Sequence, residues 1–365
     1  MKKSLKHLPI NHKLTILAYL LAATFGLFCA SVTDAAAQDE PKKRLIEKVK
    51  DSRAMAVADS VDRILTTRYY RSSYDTNYVV RPVGRLTFKV RVNESGDDLH
   101  FKGTINGLKS RADLHTLHKT TISFTASYRG ISGSFAINPA KMRGSYTDYE
   151  FSFSYYSSRF SVDATYHRSS TLSGDIVNGE YTGHLQSNDL NLKVANLAAY
   201  YVFNYRRFSY PAAFTQSYLQ RRSAGSWLLG LSYQGGSIVT RDELKERSTT
   251  APDIQLKIGH LGVGGGYGYN FVLGKRSNWL IHASMTPTLV IYNHNKMTVN
   301  GTPKEAEHIR FNMIFNERAA IVWNFLPRYF ASITFNMTNS IFDDNVVVMN
   351  QNKWRVRAAV GVRLF

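Results

Sequence analysis

Cysteine is all but missing from this chain. Cys29 is the only one, and it falls in a stretch read below as a removable leader, so the rest can form no disulfide and offers no thiolate for catalysis or metal binding. Long apolar runs are scarce as well: apart from Leu14–Ala30, nothing approaches the ~20 apolar residues that a membrane-spanning helix needs. Acidic residues are few, 27 Asp+Glu against 46 Lys+Arg, for a net charge of +19.

The one apolar run has the company of an export signal. Lys2, Lys3, Lys6 and Lys13 precede it, and Ala35-Ala36-Ala37 provides a small-residue cleavage site before Gln38. Residues 1–37 are therefore expected to be a signal peptide cut near Ala37. Cys29 follows Phe28, where a lipoprotein signal needs a small residue, so lipid attachment is not expected. Cleavage removes four lysines and Asp34 and leaves 42 basic against 26 acidic residues, a net +16. A basic balance usually suggests nucleic acid, but export removes that partner. The expected counter-charges are outer-membrane lipid head groups and the phosphates of lipopolysaccharide, against the alternative of solvated loop and lumen charge. An exported chain of this size without disulfides needs another brace. A closed hydrogen-bonded barrel supplies one, because it leaves no strand edge.

Residues 38–84 read as a periplasmic helical or extended segment, with Leu45, Ile46, Val49, Ala56, Val57, Val61 and Ile64 forming a broken apolar stripe. From residue 85 to 365 the period changes to two. Leu86, Phe88, Val90 and Val92 alternate with Arg85, Thr87, Lys89 and Arg91; Tyr149, Phe151, Phe153 and Tyr155 alternate with Glu150, Ser152 and Ser154. The other alternating stretches are 120–128, 130–138, 160–166, 192–203, 226–237, 254–271, 278–292, 310–325, 328–337 and 352–365. Fixed charges on one face and Tyr, Phe and Trp on the other suit a wet lumen inside an aromatic girdle. The predicted fold is all-β, an antiparallel transmembrane β-barrel of about 12 strands (10–14 tolerated) in the cell outer membrane. A further apolar stretch, Leu99–Ile105, would make the count odd and is assigned to the first external loop. The final Phe365 suits handling by the barrel-assembly machinery, although Trp354, Val356, Ala358, Val360, Val362 and Leu364 lie out of phase with it.

Residues 204–225 break the scheme. The strand count asks for a tight turn there, yet the sequence runs Asn204-Tyr205-Arg206-Arg207-Phe208-Ser209-Tyr210-Pro211 and on to Gln220-Arg221-Arg222. Arg206, Arg207, Arg221 and Arg222 are expected to line or cap the lumen near one rim, with Gln220, Lys89 and Arg91 as further lumen or ligand candidates. Guanidiniums of this kind clamp a carboxylate or phosphate in a fork. The preferred reading, however, has them brace the barrel against lumenal Asp and Glu. The Phe208–Ser226 stretch resembles the signature of the family known as domain of unknown function 4421, as do Tyr74-Asp75-Thr76-Asn77-Tyr78, Gly264–Asn270 and Asn316-Glu317-Arg318. The resemblance implies a bacterial outer-membrane barrel and brings no activity with it.

Gly262, Gly264, Gly266 and Gly268 look at first like a dinucleotide loop, but their strict spacing of two places them on one strand face. They predict a bare lumenal stripe open to close approach by a backbone or a ligand. His282 and Ser284 share a strand face opposite Trp279, Ile281, Ala283 and Met285. The pair is similar to the one that activates serine in outer-membrane phospholipases, yet no third group stands out in the sequence and chance is the preferred account. Asp343-Asp344 and His115 with His118 never reach three convincing ligands, so neither metal nor cofactor is expected. The favoured function is a structural barrel or a narrow or gated passage for small anionic solutes, of unknown identity. The alternatives are an enzyme acting on lipid or lipopolysaccharide, and an adhesion or assembly partner working through long loops.

Overall fold

The computed structural model describes residues 73–82, 84, 86–105, 107–128, 131–142, 148–247, 253–274, 276–304, 312–343 and 347–364. The expected leader, the apolar stripe of 38–70 and Phe365 lie outside them. Among the described residues twelve strands build one curled antiparallel wall. They are β1 (Leu86–Ile105), β2 (Lys119–Tyr128), β3 (Ile131–Ile137), β4 (Tyr149–Tyr156), β5 (Phe160–Ser169) and β6 (Leu190–Val202). They continue as β7 (Ala224–Thr240), β8 (Ile254–Leu273), β9 (Trp279–Asn293), β10 (Met313–Trp323), β11 (Tyr329–Asp343) and β12 (Val347–Leu364). Pairing runs from β4 to β12 in chain order and then from β12 back to β1, β2 and β3. The sheet order sets β3 beside β4. The fold is a β-barrel, and each alternating stretch of the sequence falls on one of its strands.

Leu99–Ile105 is a correction to the expected loop: it is the outer half of β1. The polar run Asn93–Asp98 reads as a break, but its backbone holds register with β12 from Asn93↔Arg357 to Asp98↔Asn352. The long connections also contain strands. Leu108–His115 folds back along β1 and pairs with Ser173–Asn178, which pairs with Tyr181–Leu185. Lys296–Val299 pairs with β8 and with Thr302–Lys304. These excursions satisfy their backbone groups by extending the wall rather than by solvation alone. All of them gather at one end. The short turns (Ser157–Arg159 among them) and the segment 203–223 mark the other.

Period-two alternation turns this protein inside out relative to a water-soluble one. Phe151, Trp227, Ile333 and Val360 face outward, Trp227 at 67% and Ile333 at 54% exposure, while Ser161, His167, His282 and Arg363 are buried inside. The interior is filled in three zones. Leu99, Leu114, Leu172, Leu185, Leu190, Ile314, Phe342 and Met349 close the long-connection end. Ion pairs cross the middle, and the 203–223 segment occupies the short-turn end.

Candidate functional site: a plugged lumen

Between β6 and β7 the chain turns inward instead of making a tight turn. Its neck is tied by Asn204, whose N–H donates to Ser226 Oγ (2.9 Å) and whose amide donates to Gly225 O (2.8 Å). Phe208 then enters the lumen and Ser209 caps a one-turn helix, Tyr210–Phe214, by accepting from Ala212 N at 3.2 Å. Pro211 suits the first turn because the N–H it lacks would have no helical partner there. Ala212 and Ala213 are small enough to let the helix lie against Leu280, Ala320 and Val322 of the wall. Gln216 reverses the chain in the left-handed region, at φ 56°, and donates from its amide to Ala213 O. Leu219–Gln220 finally pairs with Val79–Val80, fastening the segment to the stretch before β1. Tyr74 accepts from Ser209 Oγ at 3.1 Å, and burial pushes its hydroxyl well above the usual phenol range, so it acts as a neutral partner.

The wall holds this plug largely by polar contacts. Lys89 Nζ donates to Thr215 O (2.9 Å) and Gln216 Oε1 (3.3 Å). Asn270 donates to Ser209 O (3.1 Å) and Gln220 Oε1 (3.0 Å), and Tyr210 donates to Ser284 Oγ (3.1 Å). Arg363 reaches Asn324 Oδ1 at 2.9 Å and stacks over Phe330. Phe208 lies across Gly268, where an added Cβ would come within 3.1 Å of its ring. On the glycine face of β8 the plug thus meets Gly268, whereas Gly264 and Gly266 admit the backbone of β9: a Cβ there would strike the Pro287 and Met285 carbonyls.

Arg206, Arg207, Arg221 and Arg222 are all exposed, while the part of the segment inside the lumen is 208–213. Arg207 and Arg222 flank the Tyr78 ring at 5.1 and 5.9 Å. Hydrogen bonding from Arg206, helped by Arg159, holds the Tyr205 hydroxyl below its ordinary value. Among the described residues no lumenal carboxylate pairs with these four arginines, against the preferred expectation that they brace the barrel. Gln220 is buried and ties the plug together, donating to Arg207 O (2.6 Å) and Arg222 O (2.9 Å). Arg91 faces the lumen and donates to Ser134 Oγ at 3.4 Å. The predicted pair His282 and Ser284 comes together at 3.0 Å, and a third group joins it: His282 Nδ1 lies 2.7 Å from Asn270 Oδ1. Asn270 is invisible as a partner in the sequence until the β8–β9 register sets it directly opposite His282.

The sequence places fixed charges on the lumen face, and the structure adds their partners across it. Arg318 pairs with Asp163 at 2.6 Å, Arg355 pairs with Glu150, and Lys353 donates to His167 Nδ1 at 2.5 Å. His167 Nε2 faces Asp97 at 3.1 Å. Beside this belt lies a cavity of about 70 Å³, lined by Asn196, Ser232, Asn316, Asn336, Thr338 and Arg318 among others. The buried Oδ1 atoms of Asn196 and Asn336 have no hydrogen-bond partner there. Among the described residues no carboxylate pairs with Arg91 or Arg357, which leaves the lumen locally positive. No cluster of three potential metal ligands occurs among the described residues.

The model of the family described as Domain of unknown function (DUF4421) matches residues 73–364. No curated protein sequence matches the chain. Solved structures similar to it include the outer membrane protease OmpT from Escherichia coli, at 9% identity and TM-score 0.35, covering 80% of this chain and 99% of that one. The outer membrane protein OprG from Pseudomonas aeruginosa aligns at 12% identity and TM-score 0.27, over 79% of this chain and 98% of that one.

Proposed function

The chain belongs to the DUF4421 family, and we propose that it is an outer-membrane barrel with a gated lumen that admits small anionic solutes once its plug withdraws. An apolar face of this extent, carrying Phe151, Trp227, Ile333 and Val360, is a liability in water and suits a lipid surround. The observation that carries the gate is the 203–223 segment: a connection where a tight turn would suffice, folded into the lumen and bound to the wall through hydrogen bonds that water can replace. Arg91 and Arg357 supply the preference for anions, since no carboxylate pairs with either among the described residues and solutes reaching them meet net positive charge.

The test uses a single cysteine at Asn336, which lies in the lumen between Arg318 and Arg355 in register, in a Cys29→Ser background. Anionic and cationic thiol reagents of equal size are added to the protein refolded in vesicles. Deletion of 206–222 is expected to speed modification at least tenfold, with the anionic reagent faster. Equal rates with and without the segment would remove the gate, and a faster cationic reagent would remove the anion preference.

A further inference from the structure

We propose that Ser284, His282 and Asn270 form a nucleophilic triad on the lumen wall, masked by the plug, that cleaves carboxylic esters entering the opened lumen. The proposal rests on the plug being able to withdraw. Its geometry is complete. In the plugged state Asn270 Nδ2 donates to Ser209 O and Gln220 Oε1 of the plug, while its Oδ1, held opposite His282 by the β8–β9 register, faces His282 Nδ1 at 2.7 Å. That contact places the imidazole proton on Nδ1 and leaves Nε2 as the acceptor, 3.0 Å from Ser284 Oγ. A base that accepts from the serine and is oriented by a third group is the arrangement that nucleophilic catalysis needs. All three residues sit on a rigid hairpin, with Asn270 directly opposite His282 and Gly268 opposite Ser284. The glycine leaves room in front of the hydroxyl, and Phe208 fills that room in the plugged state.

The plug covers each part of this set. Tyr210 donates its hydroxyl to Ser284 Oγ at 3.1 Å, and the rings of Phe208, Tyr210 and Phe214 lie 5.8, 5.2 and 5.1 Å from the imidazole. Arg318, paired with Asp163, stands opposite Ser284 on β10 and is the cation in register with a developing oxyanion. With the plug out, Ser284 Oγ attacks the ester carbonyl carbon as His282 Nε2 takes its proton. The carbon–oxygen bond to the alcohol then breaks, and His282 returns the proton to the departing oxygen. Water, deprotonated by His282, attacks the acyl-serine; Ser284 leaves with the proton and the carboxylic acid is released.

A fluorophosphonate probe reads the nucleophile directly, since Ser284 Oγ bonds to phosphorus as fluoride leaves, and the adduct is located by peptide mass. The full-length Tyr210→Ala variant, checked for heat-modifiable migration, is expected to form the Ser284 adduct at least tenfold faster than wild type. Adding His282→Gln should abolish it. The 206–222 deletion serves as a second variant. The Asn336→Cys reporter runs alongside: fast thiol modification without a Ser284 adduct overturns the triad and leaves the gate. An adduct insensitive to His282→Gln overturns the triad equally, because a serine that merely latches the plug needs no base. If neither reporter reacts faster in either variant, the gate reading falls and the triad falls with it.

Discussion

Replacing Ile333 with arginine separates a lipid-facing wall from a water-facing one. Ile333 is 54% exposed on the outer face of β11, between Ile321 of β10 and Ala358 of β12. In water such a surface change stays within about ±0.5 kcal/mol. In a bilayer, arginine near the midplane of a barrel costs about 2–4 kcal/mol, falling to about 0–1 near the interface. Tyr329 opens the same strand at the short-turn rim. Four residue steps separate the two, about 13 Å along the strand at ~3.3 Å per residue, or about 10 Å of depth at ~40° tilt. The two arginine variants should therefore differ by about 1.5–3 kcal/mol, roughly a 10- to 100-fold ratio of folding constants. Urea titration in lipid vesicles, followed by tryptophan fluorescence, measures both. Equal stabilities, or an Ile333→Arg variant as stable as wild type, would refute a lipid-facing wall.

Two further substitutions probe the interior. Lys89→Met removes the charge-assisted bonds to Thr215 O and Gln216 Oε1, at about 1.5–3 kcal/mol for a bond to a charged group; the undocked plug should become about 10- to 100-fold more populated, and Asn336→Cys correspondingly more reactive. An unchanged rate would mean that these bonds do not hold the plug. Arg318→Met strands Asp163, whose side chain is 16% exposed and, among the described residues, retains Tyr156 as its donor. Stability should drop by about 3–5 kcal/mol in the urea titration, and a second change, Asp163→Asn, should restore most of it. A stable single variant would show that the pair is not needed.

Much of the wall was legible because its signal is local. Phe151 and Phe153 against Ser152 and Ser154 need no partner to declare two faces. Leu99–Ile105 failed for a different reason: Asn93–Asp98 carries turn-like residues, and only pairing with β12 keeps it extended. The plug shows the same division. Its place in the chain was conspicuous, because an aromatic, arginine-rich stretch stood where a tight turn belonged, but charge drew attention to Arg206, Arg207, Arg221 and Arg222. The structure instead puts Phe208, Tyr210, Ala212 and Ala213 inside and leaves the guanidiniums in solvent, where ions are cheapest to keep. Asn270 and the pairs Arg318–Asp163 and Lys353–His167 are set by register and by contacts across the lumen, which no spacing along one strand encodes.

The two ends of the lumen are closed by different means, and this sets the order in which they can open. At the long-connection end, Leu99, Leu190, Ile314, Phe342 and Met349 belong to the wall strands β1, β6, β10, β11 and β12. None can leave without breaking ladder hydrogen bonds, and each would expose apolar surface at about 25 cal/mol per Å². At the other end the seal among the described residues is the connection between β6 and β7, fastened to the stretch before β1 through Val79–Val80 and Tyr74. It can swing out with no barrel pairing lost, either carrying the stretch 74–80 with it or giving up the Val79–Val80 pairing and the Tyr74 bond. It trades its contacts with Lys89, Asn270 and Ser284 for water at about 1 kcal/mol each, while the rings of Phe208, Tyr210 and Phe214 add apolar resistance. Withdrawal of the plug alone therefore opens a chamber from one side and does not make a channel. Thiol access to Asn336→Cys should rise on deleting 206–222 while steady conductance across a planar bilayer stays near that of wild type. If conductance rises with access, the excursions Leu108–His115 and Ser173–Asn178 must be moving too, and the leucine seal is the weaker of the two.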